Sequence, residues 1–219
     1  MAELRTEEEQ LEAFKRWWKE NGTSLIVGVV IAVVAVIGWK AWQSYQANQA
    51  EAASMRYQQL LTLASQPTLE GDALVQAQQL VGEITDEHGD TLYADLATLI
   101  EARLMIADDD RAAAIGALET LIDSTQRDYL QGLARLRLAR LQLAEDDAEA
   151  ALASLDAGVP DTLGAQSADA RGDILIALNR EDEAREAYRK AISLSRETGQ
   201  PVYGVQLKLD NLGAEDATL

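Results

Sequence analysis

The sequence predicts an all-α protein in which a single N-terminal transmembrane helix precedes a stack of helical hairpins. Aromatic residues make up only 5% of the 219 residues, Ala and Leu are abundant, and Pro occurs three times. This composition favours helix over sheet. One uncharged apolar run lies near the N-terminus, and a helical pattern recurs later with periods of 37 and 33 residues. These two features define the two parts of the chain.

The apolar run is bracketed by all four tryptophans, and no charged residue occurs between positions 21 and 39. Trp18 and Trp39 are separated by about 32 Å at ~1.5 Å per helical residue, close to the ~30 Å of a bilayer's hydrocarbon core. Indole rings favour the membrane interface, and lysines at the ends of a span extend outward. We therefore predict a transmembrane helix over residues 21–42, with interface positions at Trp17, Trp18, Lys19, Trp39, Lys40 and Trp42.

Two other interpretations of the run are a buried core helix and a cleaved signal peptide. A core helix needs neither tryptophans at both ends nor an apolar surface on every side. A signal peptide begins with a short basic region, whereas here some twenty residues rich in Glu come first. We expect an uncleaved anchor.

The basic residues near the run predict its orientation. Four Lys or Arg residues precede it, and only Lys40 follows closely. Because Lys and Arg accumulate on the cytoplasmic side, residues 1–20 are expected in the cytoplasm and the rest of the chain across the membrane. In a bacterium the anchor would lie in the inner membrane and the large domain in the periplasm.

Within the run, Gly28 and Ala32 form a pair of small residues four positions apart. Such pairs let a second transmembrane helix approach closely, although they are common in any span rich in Ala, Gly and Val. Gly28 and Ala32 are therefore a possible helix contact.

The second half of the chain repeats a helix–turn–helix pattern. Three segments align: ARLMIADDDRAAAIGALETL from 102, ARLQLAEDDAEAALASLDAG from 139 and GDILIALNREDEAREAYRKA from 172. Their spacing resembles a divergent tetratricopeptide repeat without its usual Trp and Pro. Small residues are expected where paired helices cross, and larger ones where a hairpin meets the next. The predicted packing positions are Ala102, Ala114, Leu118, Ala139, Ala151, Leu155, Gly172, Ala184 and Tyr188.

The flanking segments complete the predicted domain, which covers residues 43–213. Helices between 43 and 88 are expected to form a further degenerate hairpin that caps the N-terminal side of the stack. The segment from 202 predicts a short capping helix, and residues 214–219 are expected to be a flexible tail.

Composition excludes several classes of function. The formal charge is −18, and residues 43–219 carry 14 of the 19 Lys and Arg but 31 of the 37 Asp and Glu. Such an acidic domain is unsuited to nucleic acid. No Cys is present, so thiol catalysis and Cys-based metal sites are excluded. Nucleotide-binding and nucleophile-elbow motifs are also lacking. We predict a protein that is not an enzyme and that uses no cofactor or small-molecule substrate.

The remaining candidates for chemistry have simpler structural explanations. The only histidine, His88, precedes Gly89 at a predicted helix end, where the helix dipole favours it. The acidic runs at 108–110 and 145–147 occupy the same turn in two repeats, where Asp caps the following helix, and they lack the spacing of a calcium loop.

One basic segment, RLRLAR at 135–140, interrupts the acidic domain. Arg137 and Arg140 are three positions apart, so they share a helix face, and the first helix of each hairpin lines the concave side of such a stack. With Tyr129 they form a possible partner groove that could bind carboxylates. Pairing with Asp128, Glu145 or acids of a neighbouring repeat is the alternative, and we favour it.

Several segments together resemble the YfgM family over nearly the whole chain. They are KRWWKENG at 15–22, IGWKAW at 37–42, LRLAR at 136–140 and LDNLG at 209–213. The resemblance implies an ancillary subunit of the SecYEG translocon with a periplasmic tetratricopeptide-like domain. It further implies association with the PpiD chaperone and a role in passing exported proteins to periplasmic chaperones. An envelope-assembly or cell-division scaffold built on the same repeats is the alternative function.

Overall fold

The computed structural model describes residues 7–66 and 69–213, and the described residues form only helices, turns and loops. The all-α prediction is therefore confirmed. The helices are α1 Glu7–Ala64, α2 Asp72–His88, α3 Leu92–Ala107, α4 Arg111–Ser124, α5 Asp128–Ala144, α6 Ala148–Asp156, α7 Gly164–Ala177, α8 Glu181–Thr198 and α9 Val205–Asn211. A short 3-10 helix, Asp161–Leu163, precedes α7. The predicted flexible tail at 214–219 lies outside the described residues.

The chain divides into two compact units, Met1–Ala52 and Ala53–Leu219. In the first unit, the large apolar side chains of α1 between 25 and 37 are all exposed by 45–64%. A core helix of a soluble domain would bury such side chains. Among the described residues, α1 is the one helix long and apolar enough to cross a membrane. It begins at Glu7 and ends at Ala64, so no helix boundary falls at position 20 or 42.

In the second unit, the last turns of α1 pack on α2 and α3. Leu60 lies in one apolar cluster with Val81 and Ile84 of α2 and with Leu104 of α3. Tyr57 and Tyr93 extend this cluster, with ring centroids 5.6 Å apart. The helix α2 begins at Asp72 because Gly71 before it takes a positive φ of 58°. These elements precede the repeats, as the sequence predicts.

Three hairpins follow, formed by α3 with α4, α5 with α6, and α7 with α8. The same turn position has a left-handed backbone in each, with φ of 62° at Asp109, 62° at Asp146 and 59° at Asn179. Asp and Asn adopt this conformation more readily than most residues. In the first two hairpins the next residue, Asp110 or Asp147, caps the second helix by accepting a backbone N–H bond of 3.0 Å. The acidic runs are thus turn and cap residues.

The C-terminal helix α9 packs on the last hairpin, formed by α7 and α8. Val205 is buried in a cluster with Leu175 of α7 and Tyr188 of α8. Lys208 donates hydrogen bonds of 2.7 Å to both Asp169 and Asp173 of α7. The short predicted capping helix is therefore fixed by apolar burial and by charge.

Candidate interaction groove

The six predicted membrane-interface residues lie on the exposed surface of α1. Trp17 and Trp18 are 46% and 45% exposed, and both stack on Phe14. Trp39 and Trp42 lie against each other with centroids 5.3 Å apart. Lys19 and Lys40 are exposed beside these pairs. Aromatic side chains thus form one cluster on each side of the apolar run.

Gly28 and Ala32, the predicted helix contact, are both exposed. A Cβ placed on Gly28 would meet no atom within 4 Å, so this surface of α1 is open in the described chain. Contact with another helix stays a prediction.

The nine predicted packing positions are all buried. Leu118 belongs to an apolar cluster that includes Leu130 and Leu138 of the next hairpin, and Leu155 lies with Ile174 in the same way. Gly172 leaves no room for a side chain because the Tyr188 ring lies directly over it. These nine positions therefore contribute to the core, and Ala102 and Leu118 also line the pocket described next.

Arg137 and Arg140 of α5 line a pocket of about 430 Å³ between α3 and α5. Its inner wall is aliphatic and includes the buried side chains of Leu99, Leu118 and Leu141. Ile106, 42% exposed, lies on the α3 side. Tyr129, the third predicted groove residue, is 50% exposed two turns before Arg137 and does not line the pocket. The pocket combines apolar surface with guanidinium groups.

Arg103 of α3 is a third arginine in this pocket, and the sequence prediction missed it. It also lines a smaller adjacent pocket of about 200 Å³, together with Tyr57, Leu61 and Arg137. Both pockets share Leu99, Arg103 and Arg137, so they adjoin each other along the last turns of α1 and the facing sides of α3 and α5. We call this surface the arginine groove.

Backbone carbonyls hold two of the three guanidinium groups. Arg137 Nη1 donates to the Leu99 carbonyl at 3.1 Å, and Arg103 Nη2 donates to the Ala64 carbonyl at 2.6 Å. A carbonyl fixes the position of a guanidinium without cancelling its charge, and each guanidinium has five N–H donors. The remaining donors and the positive charges stay available to a ligand.

The favoured pairing of Arg137 and Arg140 with nearby acids is absent from the part of the chain that the structure describes. Neither residue forms an ion pair within the described ranges, and Glu145 pairs with Arg111 at 3.3 Å instead. The reason is the direction of the α5 face, since Arg137 and Arg140 point toward the pocket shared with α3, whereas Glu145 follows the end of α5. The groove alternative is the one that the geometry supports.

Electrostatics within the groove reflect this crowding of positive charge. Burial lowers the pKa of Arg137, and the charges of Arg103 and Arg140 lower it further. Burial also raises the pKa of the Tyr57 hydroxyl, although the nearby Arg137 charge opposes that change. Arg103, Arg137 and Arg140 thus repel one another, and a bound anion would relieve that repulsion.

Sequence spacing could have revealed Arg103. It follows Ala102 directly, just as Arg140 follows Ala139, so the two arginines occupy the same position in successive repeats. Tyr57 had no comparable signal because it lies outside the repeats, on the last turns of α1.

Two other charged clusters have structural roles. Arg56 of α1 binds Glu83 and Glu87 of α2, and its Nη1 lies 3.0 Å from Nε2 of the buried His88. Since arginine only donates, His88 Nε2 accepts this bond. Thr125 and Arg127 both bind the buried Asp95, over 2.6 and 2.8 Å. Each cluster joins a helix to its neighbour.

No grouping of three or more metal-binding side chains occurs in residues 7–66 and 69–213. In each acidic turn, one Asp adopts the left-handed backbone conformation and the next Asp caps the following helix.

Comparisons with known proteins agree with this architecture. The family model described as a tetratricopeptide repeat-like domain matches residues 15–214. Three curated relatives are each named Ancillary SecYEG translocon subunit. The protein from Aggregatibacter actinomycetemcomitans is 31% identical over 97% of this chain and 100% of its own length. The protein from Escherichia coli K12 is 32% identical over 94% and 96%, and that from Haemophilus influenzae is 28% identical over 94% and 97%. No solved structure matches the chain significantly.

Proposed function

This chain belongs to the tetratricopeptide repeat-like family of ancillary SecYEG translocon subunits, and from that premise we propose that it is a membrane-anchored scaffold that links exported proteins to periplasmic chaperones. The observation that carries the binding part of the proposal is the arginine groove. It combines an aliphatic wall with three guanidinium groups that lack acidic partners among the described residues.

The proposed topology has one membrane span at residues 21–42, a cytoplasmic segment at 1–20 and a periplasmic domain at 43–213. The exposed apolar surface of α1 between its tryptophan pairs supports the span. The excess of Lys and Arg before the span supports a cytoplasmic N-terminus in the bacterial inner membrane. Gly28 and Ala32 would then be available to a second transmembrane helix.

The proposed partners are the SecYEG translocon, which the relatives' names specify, and the PpiD chaperone, which the family resemblance implies. Anchoring beside the channel keeps the repeats at a high effective concentration near an emerging chain, so individual contacts can be weak. Such a role needs a surface and no catalytic group, and helical-repeat stacks provide extended binding surfaces.

Photo-crosslinking in cells tests this proposal. A photoreactive amino acid at Tyr129 or Arg137 is expected to capture a translocon component or a periplasmic chaperone. The control is the same probe at Glu149, which is exposed on α6 away from the arginine groove. Recovery of cell-wall synthases in place of the channel would favour the envelope-scaffold alternative, and recovery of no envelope protein from Tyr129 or Arg137 would overturn the proposal.

A further inference from the structure

The arginine groove departs from the charge pattern of the rest of the domain. Among the described residues of the second unit, ion pairs with carboxylates are formed by Arg56, Arg111, Arg127, Arg171, Arg180 and Arg185. Arg103, Arg137 and Arg140 form none with a described residue, although acids outnumber Lys and Arg by 37 to 19 in the chain. Even Glu70 and Asp108, which line a pocket with Arg103, do not pair with it. Arg135 and Arg196 also form no ion pair with a described residue, so the property that sets this surface apart is the clustering of three unpaired arginines.

The third hairpin provides an internal comparison. The position of Arg103 and Arg140 is occupied there by Asp173. Asp173 is neutralised by Lys208 of the next helix, α9, over 2.7 Å. At the junction of α3 with α5, by contrast, arginines of both helices line one pocket, and their charges lower the pKa of Arg137. The charge of Asp173 is therefore balanced by Lys208, whereas the arginines between α3 and α5 have no paired acid among the described residues.

Two of the three arginine positions are fixed before any ligand binds. The carbonyls of Ala64 and Leu99 hold Arg103 and Arg137, so little side-chain entropy remains to be lost on binding. Guanidinium groups bind carboxylates through paired N–H···O bonds, which are stronger than neutral hydrogen bonds. Beside them, the aliphatic wall of Leu99, Leu118 and Leu141 has no polar group to offer a ligand. A pocket of about 430 Å³ is within the usual size range for ligand sites, ~300–1,000 Å³.

We propose that the arginine groove binds an extended acidic segment of a partner protein, in which a carboxylate side chain contacts Arg103, Arg137 and Arg140 and a neighbouring aliphatic side chain enters the pocket between α3 and α5. This inference rests on the proposed function, because it assigns a ligand class to the same groove. Charge complementarity selects an acidic segment, and the apolar wall selects an aliphatic neighbour over a purely polar acidic chain.

Binding of designed peptides to the full chain, in nanodiscs of zwitterionic lipid, tests the proposal. The probe is a rhodamine-labelled peptide, SGDLELDGS, followed by fluorescence anisotropy. Two matched peptides replace either its carboxylates by amides, SGNLQLNGS, or its leucines by serines, SGDSESDGS. We expect each matched peptide to bind at least about tenfold more weakly, because each lacks one of the two complementary features.

Variants of the chain locate the binding. Arg137→Gln, Arg140→Gln and Arg103→Gln are each expected to weaken SGDLELDGS binding about tenfold, and Ala144→Phe to abolish it by filling the pocket mouth. The matched controls are Arg196→Gln and Ala153→Phe, both at exposed helical positions outside the groove. These controls are expected to leave affinity unchanged. Melting curves from far-UV circular dichroism show that each variant is folded.

Equal binding of SGNLQLNGS, or unchanged affinity in all three arginine variants, would overturn the inference. Failure of SGDLELDGS to bind the parent chain would also overturn it. If a soluble short-chain phosphatidylglycerol binds to the groove and the peptide does not, the groove is a lipid head-group site. Copurification of SecYEG with the parent chain separates the two proposals. If SecYEG is retained while the peptide fails, the ligand assignment alone is wrong, and if the peptide binds without SecYEG, the proposed function is wrong.

Discussion

Lys208 and Asp173 form a charged hydrogen bond of 2.7 Å that ties the last helix of the stack to the first helix of the preceding hairpin. Lys208 also binds Asp169 and lies 5.7 Å from the centre of the Tyr188 ring, whose hydroxyl donates to Asp173. The end of the domain is therefore closed by a compact polar network over the apolar contacts of Val205.

Replacing Lys208 by Met is expected to loosen α9. Asp169, only 13% exposed, would lose its charged partner. Because Lys208 itself is 34% exposed, solvent screening limits the expected loss to about 1–2 kcal/mol. Urea unfolding of the full chain in detergent measures the change, and hydrogen exchange should increase mainly in α9. Unaltered exchange there would show that apolar packing alone holds this helix.

The same network predicts a stability that decreases in alkaline solution. Burial lowers the pKa of Lys208, but its bonds to Asp169 and Asp173 outweigh that effect and raise it. Burial and the bond to Asp173 also raise the pKa of Tyr188. Both groups favour the protonated form in the folded state, so their stabilisation is complete below the ordinary Lys and Tyr pKa values and is lost as pH rises above them. Urea midpoints of the parent chain and of Lys208→Met should converge at high pH, and midpoints that diverge would contradict this assignment.

Gly172 is expected to be the least replaceable glycine of the third hairpin. A Cβ there would overlap the Tyr188 ring, so Gly172→Ala should cost about 1–3 kcal/mol through overpacking. The matched control is Gly116→Ala on α4, where a Cβ meets no atom within 4 Å and helix propensity predicts a gain of about 0.5–1 kcal/mol. Opposite shifts of the melting temperature are expected, and shifts of the same sign would refute the packing argument.

Arg127 is expected to stabilise the junction of α3 with α5 through Asp95. The Asp95 carboxylate is buried and binds Arg127 Nη1 and the Thr125 hydroxyl. Arg127→Met would leave that charge with only the hydroxyl, at a cost of about 2 kcal/mol because Arg127 itself is partly exposed. A double-mutant cycle with Asp95→Asn measures the coupling, and additive effects of the two changes would mean that the pair contributes nothing.

The proposed topology can be checked by chemical labelling, because the chain contains no native cysteine. A membrane-impermeant maleimide, added to cells with a permeabilised outer membrane, is expected to label Glu149→Cys and to leave Glu12→Cys unlabelled. Glu12→Cys should react only after the inner membrane is lysed. Labelling in the reverse order would place the repeats in the cytoplasm.

Patterns with a local cause were predictable from the sequence. The long apolar helix was predictable because residues 21–39 carry no charge, and the hairpins were predictable because Ala102, Ala139 and Gly172 recur at one position. The turns at Asp109 and Asp146 followed from the same register. The sequence does not show which side chains of neighbouring repeats face each other. Glu145 is near Arg140 in sequence, yet it pairs with Arg111. The contribution of Tyr57 depends on α1 packing against α3, which no periodicity encodes.

Arg140 in the second hairpin is replaced at the same repeat position by Asp173 in the third. This replacement limits the length of the acidic segment that the arginine groove would bind. Neighbouring packed helices are about 8–10 Å apart, and an extended peptide advances about 3.3 Å per residue. The favourable stretch, from Tyr57 on α1 past Arg140 on α5, therefore matches a motif of about six residues. Beyond it, Asp173 takes the place of an arginine and binds Lys208, so that position offers no guanidinium to a continuing acidic chain. A short motif of this kind can occur in many unrelated proteins, so this stack is suited to successive brief encounters with different chains.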